Sequence, residues 1–244
     1  VFSSLNAFLS GLPPASLATL ADHLTPIDLT LGAVIYRIEA PVEWVYFPEN
    51  SLLSMLSAST DGESVETSMV GIEGAAGLLE ACGSGVSSVE CIVQVNGRAH
   101  RAPAAAFRKL ESSDPDLSRL AWRMNELQLA ESRQSGLCQA MHVVEQRFAR
   151  WVLETDERCG GRELLPITQE FLAAMLGVQR TTVTAFAMQL QKAGMIRYAR
   201  GKLEIVDREA LEARACECHR ACQSQRTRLG FVPLRLIGEA GTDV

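Results

Sequence analysis

The chain has 244 residues, 47% of them hydrophobic and 21% charged, with a net charge of −6. That much apolar material builds a folded core and excludes a disordered or fibrous chain. No apolar run reaches the ~18 residues of a membrane span, and no charged segment leads into a short apolar one as a secretory signal would.

Residues 3–24 read as helix, with Ser3 or Ser4 at the start, a restart at Pro13-Pro14, and Leu17, Leu20 and Leu24 on one face. From Pro26 to Pro103 short β-rich runs alternate with turn residues, as in Leu29–Leu31, Val34–Ile38 and Trp44–Phe47. Leu52–Thr60 and Glu63–Val70 flank Asp61-Gly62, a pair suited to a type I′ hairpin turn, whose central residues both need φ > 0. Ile92–Val95, Asn96-Gly97 and Ala99–Ala102 predict a second hairpin. Roughly six to eight strands so spaced predict a small antiparallel β-roll or barrel. Gly71-Ile72-Glu73-Gly74-Ala75-Ala76-Gly77 interrupts them. Either its bare amides and the helix start that follows cradle an anion, or the loop is tight and needs small residues to pack.

Asp114-Pro115 opens a long helix of about 22 residues, or about 33 Å. Leu117, Leu120, Met124 and Leu127 follow a/d spacing and predict a seam for a second copy of the chain; packing on the β-domain is the alternative. Glu131 and Gln134 break the seam, and Gly136 marks its end. A second helix is predicted from Ala140 to Glu157, closed by Cys159-Gly160-Gly161.

Charge separates the two halves. Residues 1–140 carry 8 basic and 16 acidic side chains, whereas Phe171–Leu203 holds five cations (Arg180, Lys192, Arg197, Arg200, Lys202) and no carboxylate. Two domains with different tasks are expected. Within the cationic stretch, Thr168 is placed to cap a helix over Gln169–Leu176, Gly177-Val178 makes a turn, and a second helix runs from Arg180 to Ala193. Ile196–Tyr198, Arg200-Gly201 and Leu203–Val206 form a short hairpin. Leu172, Ala173 and Leu176 face inward, completed by Val178, Val183 and Phe186. The pattern is a helix-turn-helix with a wing. Gln179, Arg180, Thr181, Thr184, Ala185 and Met188 face outward, and a helix entering the major groove reads base edges with its N-terminal residues. Arg180 is the guanine reader by type. Thr168, Thr182 and the helix N-termini suit phosphates, as do Arg200 and Lys202 on the wing; Gln169 belongs to the same surface.

Taken with the acidic β-roll and the long helix before it, the segment Thr168–Thr184, followed by Leu190-Gln191-Lys192-Ala193-Gly194-Met195-Ile196 and Arg200-Gly201, resembles the Crp/Fnr superfamily of bacterial transcription regulators over residues 12–220. The resemblance implies an α+β chain. Residues 1–110 form an N-terminal antiparallel β-roll, a cyclic-nucleotide-binding-like jelly roll with N-terminal helices. Residues 111–138 are a central dimerisation helix, 139–220 a C-terminal winged helix-turn-helix, and 221–244 a tail. It implies a cytoplasmic homodimer that reads a two-fold symmetric DNA operator, contacts RNA polymerase, and takes a small-molecule effector in the roll near Gly71, Glu73, Gly74, Ala75, Gly77, Ser87 and Ser88; no membrane is involved. Members that bind cyclic AMP use a Gly-Glu pair for the ribose and an Arg for the phosphate. Here Glu73-Gly74 stands in reverse order, Val86-Ser87-Ser88-Val89 replaces the Arg, and no Arg or Lys lies between Arg37 and Arg98, so cyclic AMP is not the expected effector. In the reader helix, Thr181 and Ala185 replace a Glu and a second Arg, which predicts a different half-site.

Seven cysteines in a long chain without a disulfide-framework spacing read as reduced thiols. Cys216, His219 and Cys222 share a helical face, but Cys216-Glu217-Cys218 is not a usual zinc spacing and no distant second pair is obvious apart from Cys159, so no metal is expected. No cysteine precedes Cys82, which leaves no N-terminal iron–sulfur motif. His23, His100 and His142 are isolated and read as packing or surface residues. No nucleophile motif or Walker loop is present, so no enzyme is expected. Two rival functions stay open: a constitutive DNA binder, and an effector-binding regulatory subunit that docks protein.

Overall fold

The computed structural model describes residues 2–61, 64–161 and 164–232. Two antiparallel sheets form the N-terminal half. One has the order β1 (Thr25–Leu29), β7 (Gly97–Pro103), β3 (Trp44–Pro48); the other is β2 (Val34–Tyr36), β6 (Glu90–Val95), β4 (Leu52–Ala58), β5 (Ser64–Val70). β4 and β5 pair as a hairpin from Leu53↔Val70 to Ala58↔Ser64, with Gly62 and Glu63 of its turn outside the described residues. The hairpin expected across Asn96-Gly97 is not one. β6 pairs with β2 and β4, whereas β7 pairs with β1 and β3. Asn96 is a corner where the chain leaves one sheet for the other. The turn signal reports the change of direction but not the neighbour that follows it.

Residues 3–24 fold as two short helices, α1 (Ala7–Ser10) and α2 (Pro14–Ala21). Buried Asn6 caps α1 by accepting from the Leu9 amide at 3.1 Å, and its side-chain amide donates to the carbonyls of Pro48 and Gly74, both at 2.8 Å. After the glycine loop and α3 (Leu78–Cys82), α4 (Ala104–Ser113) closes the roll. Phe8, Phe47 and Phe107 meet with ring centroids 5.6–6.4 Å apart and join α1, β3 and α4.

The central helix α5 runs from Pro115 to Met141, 27 residues, and passes through Gly136 without a break. Asp114 caps it by accepting from the amides of Asp116 and Leu117 at 3.0 and 3.2 Å. Leu117, Leu120, Met124 and Leu127 do not form a free seam. All four are buried in the same core as Phe8, Phe47 and Phe107. The large apolar residues that α5 exposes are Trp122, Leu129, Leu137 and Met141. An a/d run marks an apolar stripe without saying what covers it, and here the roll does.

Past the corner at His142 come α6 (Val144–Arg158), β8 (Leu165–Pro166), α7 (Gln169–Leu176), α8 (Arg180–Lys192), β9 (Ile196–Ala199), β10 (Lys202–Ile205), α9 (Arg208–Arg214) and α10 (Cys218–Leu229). Residues 221–229, read from sequence as tail, are the body of α10, which returns to pack along α5. The remaining residues of that tail beyond Val232 lie outside the described residues. Glu131, which interrupts the apolar pattern of α5, sits in a buried ionic core. It accepts from Arg158 at 2.8 Å and Arg226 at 3.1 Å, while Arg226 also reaches Glu157 at 2.9 Å. A single apolar core spans roll and C-terminal half: Leu52, Leu56, Met69 and Val95 pack with Phe148, Trp151, Leu172, Met175 and Leu176.

Candidate functional site

The Thr168 hydroxyl accepts from the Phe171 amide at 3.2 Å and caps α7. Gly177, at φ 63°, ends it, in a left-handed conformation that costs glycine little. The chain then bends by 109° into α8, within the range of helix-turn-helix units. Leu172, Ala173, Leu176 and Val183 are buried as the spacing predicts; Val178 and Phe186 are only half-buried, and Met175 and Ala187 take the remaining central places. β8, β10 and β9 form the wing sheet in that order. β9 and β10 are joined by Arg200 (φ 52°) and Gly201 (φ 71°), a two-residue turn of the type I′ class.

This geometry places Gln179, Arg180 and Thr181 in solvent at the start of α8, with Thr182 and Thr184 half-buried beside them. Thr168, Gln169, Arg180, Arg200 and Gly201 line one open cleft of about 400 Å³, and Lys202 is exposed next to it. Thr184 donates to Gln169 Oε1 at 2.7 Å, which holds the two helices in register. Glu170, which sequence reasoning did not single out, lines the same cleft. Its carboxylate lies 2.7 Å from the Arg180 guanidinium, with both side chains more than 60% exposed. In high dielectric an exposed pair of this kind is weak. Its signal was the spacing of an acidic first-turn residue on α7 opposite the first residue of α8.

The residues expected around an effector divide into two groups. Gly71, Glu73, Gly74 and Ala75 turn into the protein. Glu73 is ion-paired with Arg158 and accepts from the Gly71 amide at 3.1 Å. A Cβ on Gly71 would stand 2.3 Å from the Arg158 carbonyl oxygen. The loop is therefore the tight packing element of the two alternatives, seated on the end of α6. Ser87 is buried, its hydroxyl 3.1 Å from Glu80. Gly77 and Ser88, in contrast, line a cleft of about 780 Å³ between roll and central helix. Its walls include Tyr36, Met55, Leu79 and Val89 from the roll and Arg119, Trp122, Arg123 and Leu129 from α5. α5 brings Arg119 and Arg123 to the cleft, which Glu80 and Glu126 also line. Nothing local pointed to them, because roll and helix meet only in the fold.

At the interface of roll and α6, Glu66 of β5 is fully buried. The Trp151 indole donates to it at 3.0 Å and the Ser54 hydroxyl also donates to it. Burial outweighs these bonds and the nearby Arg150, and pushes its carboxyl up to about 7. The C-terminal cysteines, read as reduced thiols, have company from elsewhere in the chain: Cys138 and His142 stand against Cys216 and Cys218.

Residues 146–214 match the family model described as the Crp-like helix-turn-helix domain. The chain is 24% identical over 213 residues to a CRP-like cAMP-activated global transcriptional regulator of Mycobacterium tuberculosis, covering 84% of this chain and 94% of that protein. Its fold is shared with FixK2 from Bradyrhizobium japonicum (TM-score 0.67, 16% identity, 79% of this chain and 98% of that one). It is shared too with a CRP/FNR-family transcriptional regulator from Thermus thermophilus (TM-score 0.62, 23% identity, 78% and 98%). The β-roll, the long helix and the winged helix-turn-helix follow one another in the order that these structures share. The matched segment is a Crp-like helix-turn-helix domain, and the chain is similar over most of its length to the M. tuberculosis regulator. Among the described residues no single helix is long and apolar enough to cross a membrane.

Proposed function

We propose that the protein acts in the cytoplasm as a homodimer that binds a two-fold symmetric DNA operator through α8, contacts RNA polymerase there, and is gated by a small molecule held between roll and α5. The observation that carries the DNA reading is the common cleft of Arg180 and the wing tip beside the exposed start of α8. In the major groove Arg180 exchanges Glu170 for guanine O6 and N7, with Gln179, Thr181 and Thr184 beside it. Thr168, Gln169, Thr182, Arg200 and Lys202 hold phosphates. Residues 1–113 serve as the effector module, α5 with α10 as the spine, and residues 144–214 as the reader.

An operator is first selected from randomised duplexes, then titrated by anisotropy at several salt concentrations. Arg180→Ala costs about 1–3 kcal/mol and relaxes the preference at one guanine per half-site. Lys202→Ala weakens binding to all duplexes alike and flattens the salt dependence by about one unit per subunit. A folded Arg180→Ala dimer with unchanged affinity and base preference would sink the assignment of α8 as reader.

For the effector, the cleft calls for an apolar body, with polar groups that meet Arg119 and Arg123 on one side and Glu80 and Glu126 on the other. The M. tuberculosis relative is described as activated by cAMP. In this chain Glu73 is engaged by Arg158 rather than presented to the cleft, so weak or no cyclic AMP binding is expected by titration calorimetry. Gating follows because Trp122 and Leu129 line the cleft and are also exposed on α5, so a ligand there touches the helix that meets the second copy.

A further inference from the structure

We infer that Cys138, His142, Cys216 and Cys218 form a structural zinc site of the Cys3His type, which staples the start of α10 to the end of α5. The four candidate ligand atoms, one from each residue, all lie within 4.8 Å of one another. Cys138 Sγ is 3.5 Å from Cys216 Sγ, and Cys218 Sγ is 3.5 Å from His142 Nδ1. In tetrahedral zinc, bonds of about 2.3 Å to sulfur and about 2.0 Å to nitrogen put neighbouring ligand atoms about 3.5–3.8 Å apart. The side chains are therefore near their bonding positions. An iron–sulfur cluster interposes its own irons and sulfides between the protein ligands and would hold them wider.

The backbone explains why the set assembles. Cys138 and His142 stand one turn apart at the C-terminus of α5, where the His142 amide donates to the Cys138 carbonyl at 3.1 Å. Glu217 adopts a helical conformation (φ −58°, ψ −15°) between Cys216 and Cys218, a tight turn that suits the unusual one-residue spacing. The three thiols are buried and form a small cluster of their own, apart from the other apolar cores.

The surroundings match what metal ligands need. His142 Nε2 lies 3.1 Å from the Glu217 carboxylate, so that ring nitrogen keeps its proton and Nδ1, which faces the thiols, is left to coordinate. Gln134 donates to Cys218 Sγ at 3.0 Å, a bond that stabilises a thiolate. On binding, zinc replaces three thiol protons, which pass to solvent, and the site carries one net negative charge. Arg147 and Arg150 of α6 are close enough to act on Cys138 and Cys216 electrostatically and offset that charge.

The test uses the full chain, purified under reducing conditions, with zinc released by a thiol-modifying reagent and counted colorimetrically. One zinc per chain is expected. After chelation, cobalt(II) should restore the intense visible bands and sulfur charge-transfer absorption of a tetrahedral thiolate site, and the melting temperature should fall with chelation and recover with zinc. Cys138→Ser and Cys216→Ser should each lose the metal or hold it far more weakly. Cys82→Ala and Cys222→Ala, outside the set, should keep it. Circular dichroism of each variant separates a lost ligand from a lost fold. Should either serine variant fail to fold, the cobalt spectrum of the wild-type chain decides alone. A wild-type chain that takes up neither zinc nor cobalt, full occupancy in folded Cys138→Ser, or the spectrum of an iron–sulfur cluster would each overturn the assignment.

Discussion

Glu66 is a carboxylate with no full counter-charge at the contact between roll and α6. Its neighbours are the Ser54 hydroxyl, the Trp151 indole, Arg150 and the like-charged Glu154. Because burial lifts its carboxyl from 4.5 to about 7, the folded chain keeps a proton that the unfolded chain loses. The group's contribution is thus most favourable below pH ~4.5 and declines as pH rises to ~7, by at most ~3 kcal/mol, after which it is flat. Thermal melts at pH 5 and pH 8 read this directly. Glu66→Gln should lose much of the pH-dependent drop of the wild type, and an unaltered drop in that variant would place its cause elsewhere. At the same scale, Glu170 beside Arg180 shows how little of a site a motif describes. The motif names the reader, but the residue that pairs with it lies on another helix.

Among the elements, the helix-turn-helix was the most legible. Its contacts are local, so a cap at Thr168, a glycine at 177 and a short apolar register are enough to define it. The central helix was legible as a helix and not as an interface. Its inward run and its exposed residues Trp122, Leu129, Leu137 and Met141 are both apolar, and only the packed roll says which is spent inside the chain. The exposed set should carry the dimer contact. Leu129→Glu should shift the protein from dimer to monomer in light scattering at micromolar concentration while its circular dichroism stays intact. Leu120→Glu, which buries a charge in the roll core, should instead lower the melting temperature. A dimer unaffected by Leu129→Glu would move the interface elsewhere. The corner at Asn96 and the clusters around Glu131 and Cys138 were out of reach for a different reason. Each depends on partners dozens of residues away, and the local traces they leave are a turn signal, a polar residue in an apolar run and the Cys216-Glu217-Cys218 spacing.

For the molecule as a whole, the core shared by Leu52, Leu56, Met69 and Val95 with α6 and α7 makes the two halves interdependent. Calorimetry of the full chain should show one cooperative transition; two resolved peaks would mean that the shared core is not held in solution. α10 extends this interdependence to the cleft between roll and α5. Arg123, one of its cationic walls, donates to the Leu229 carbonyl and lies 5.8 Å from the Phe231 ring, although Leu229 comes 106 residues later in the chain. During synthesis, then, the roll can collapse on the ribosome long before the cleft beside α5 exists in finished form. A nascent chain stalled before α10 emerges would hold the strands without the restrained arginine, so the proposed sensing cleft is completed only after the helices of the helix-turn-helix have already been made.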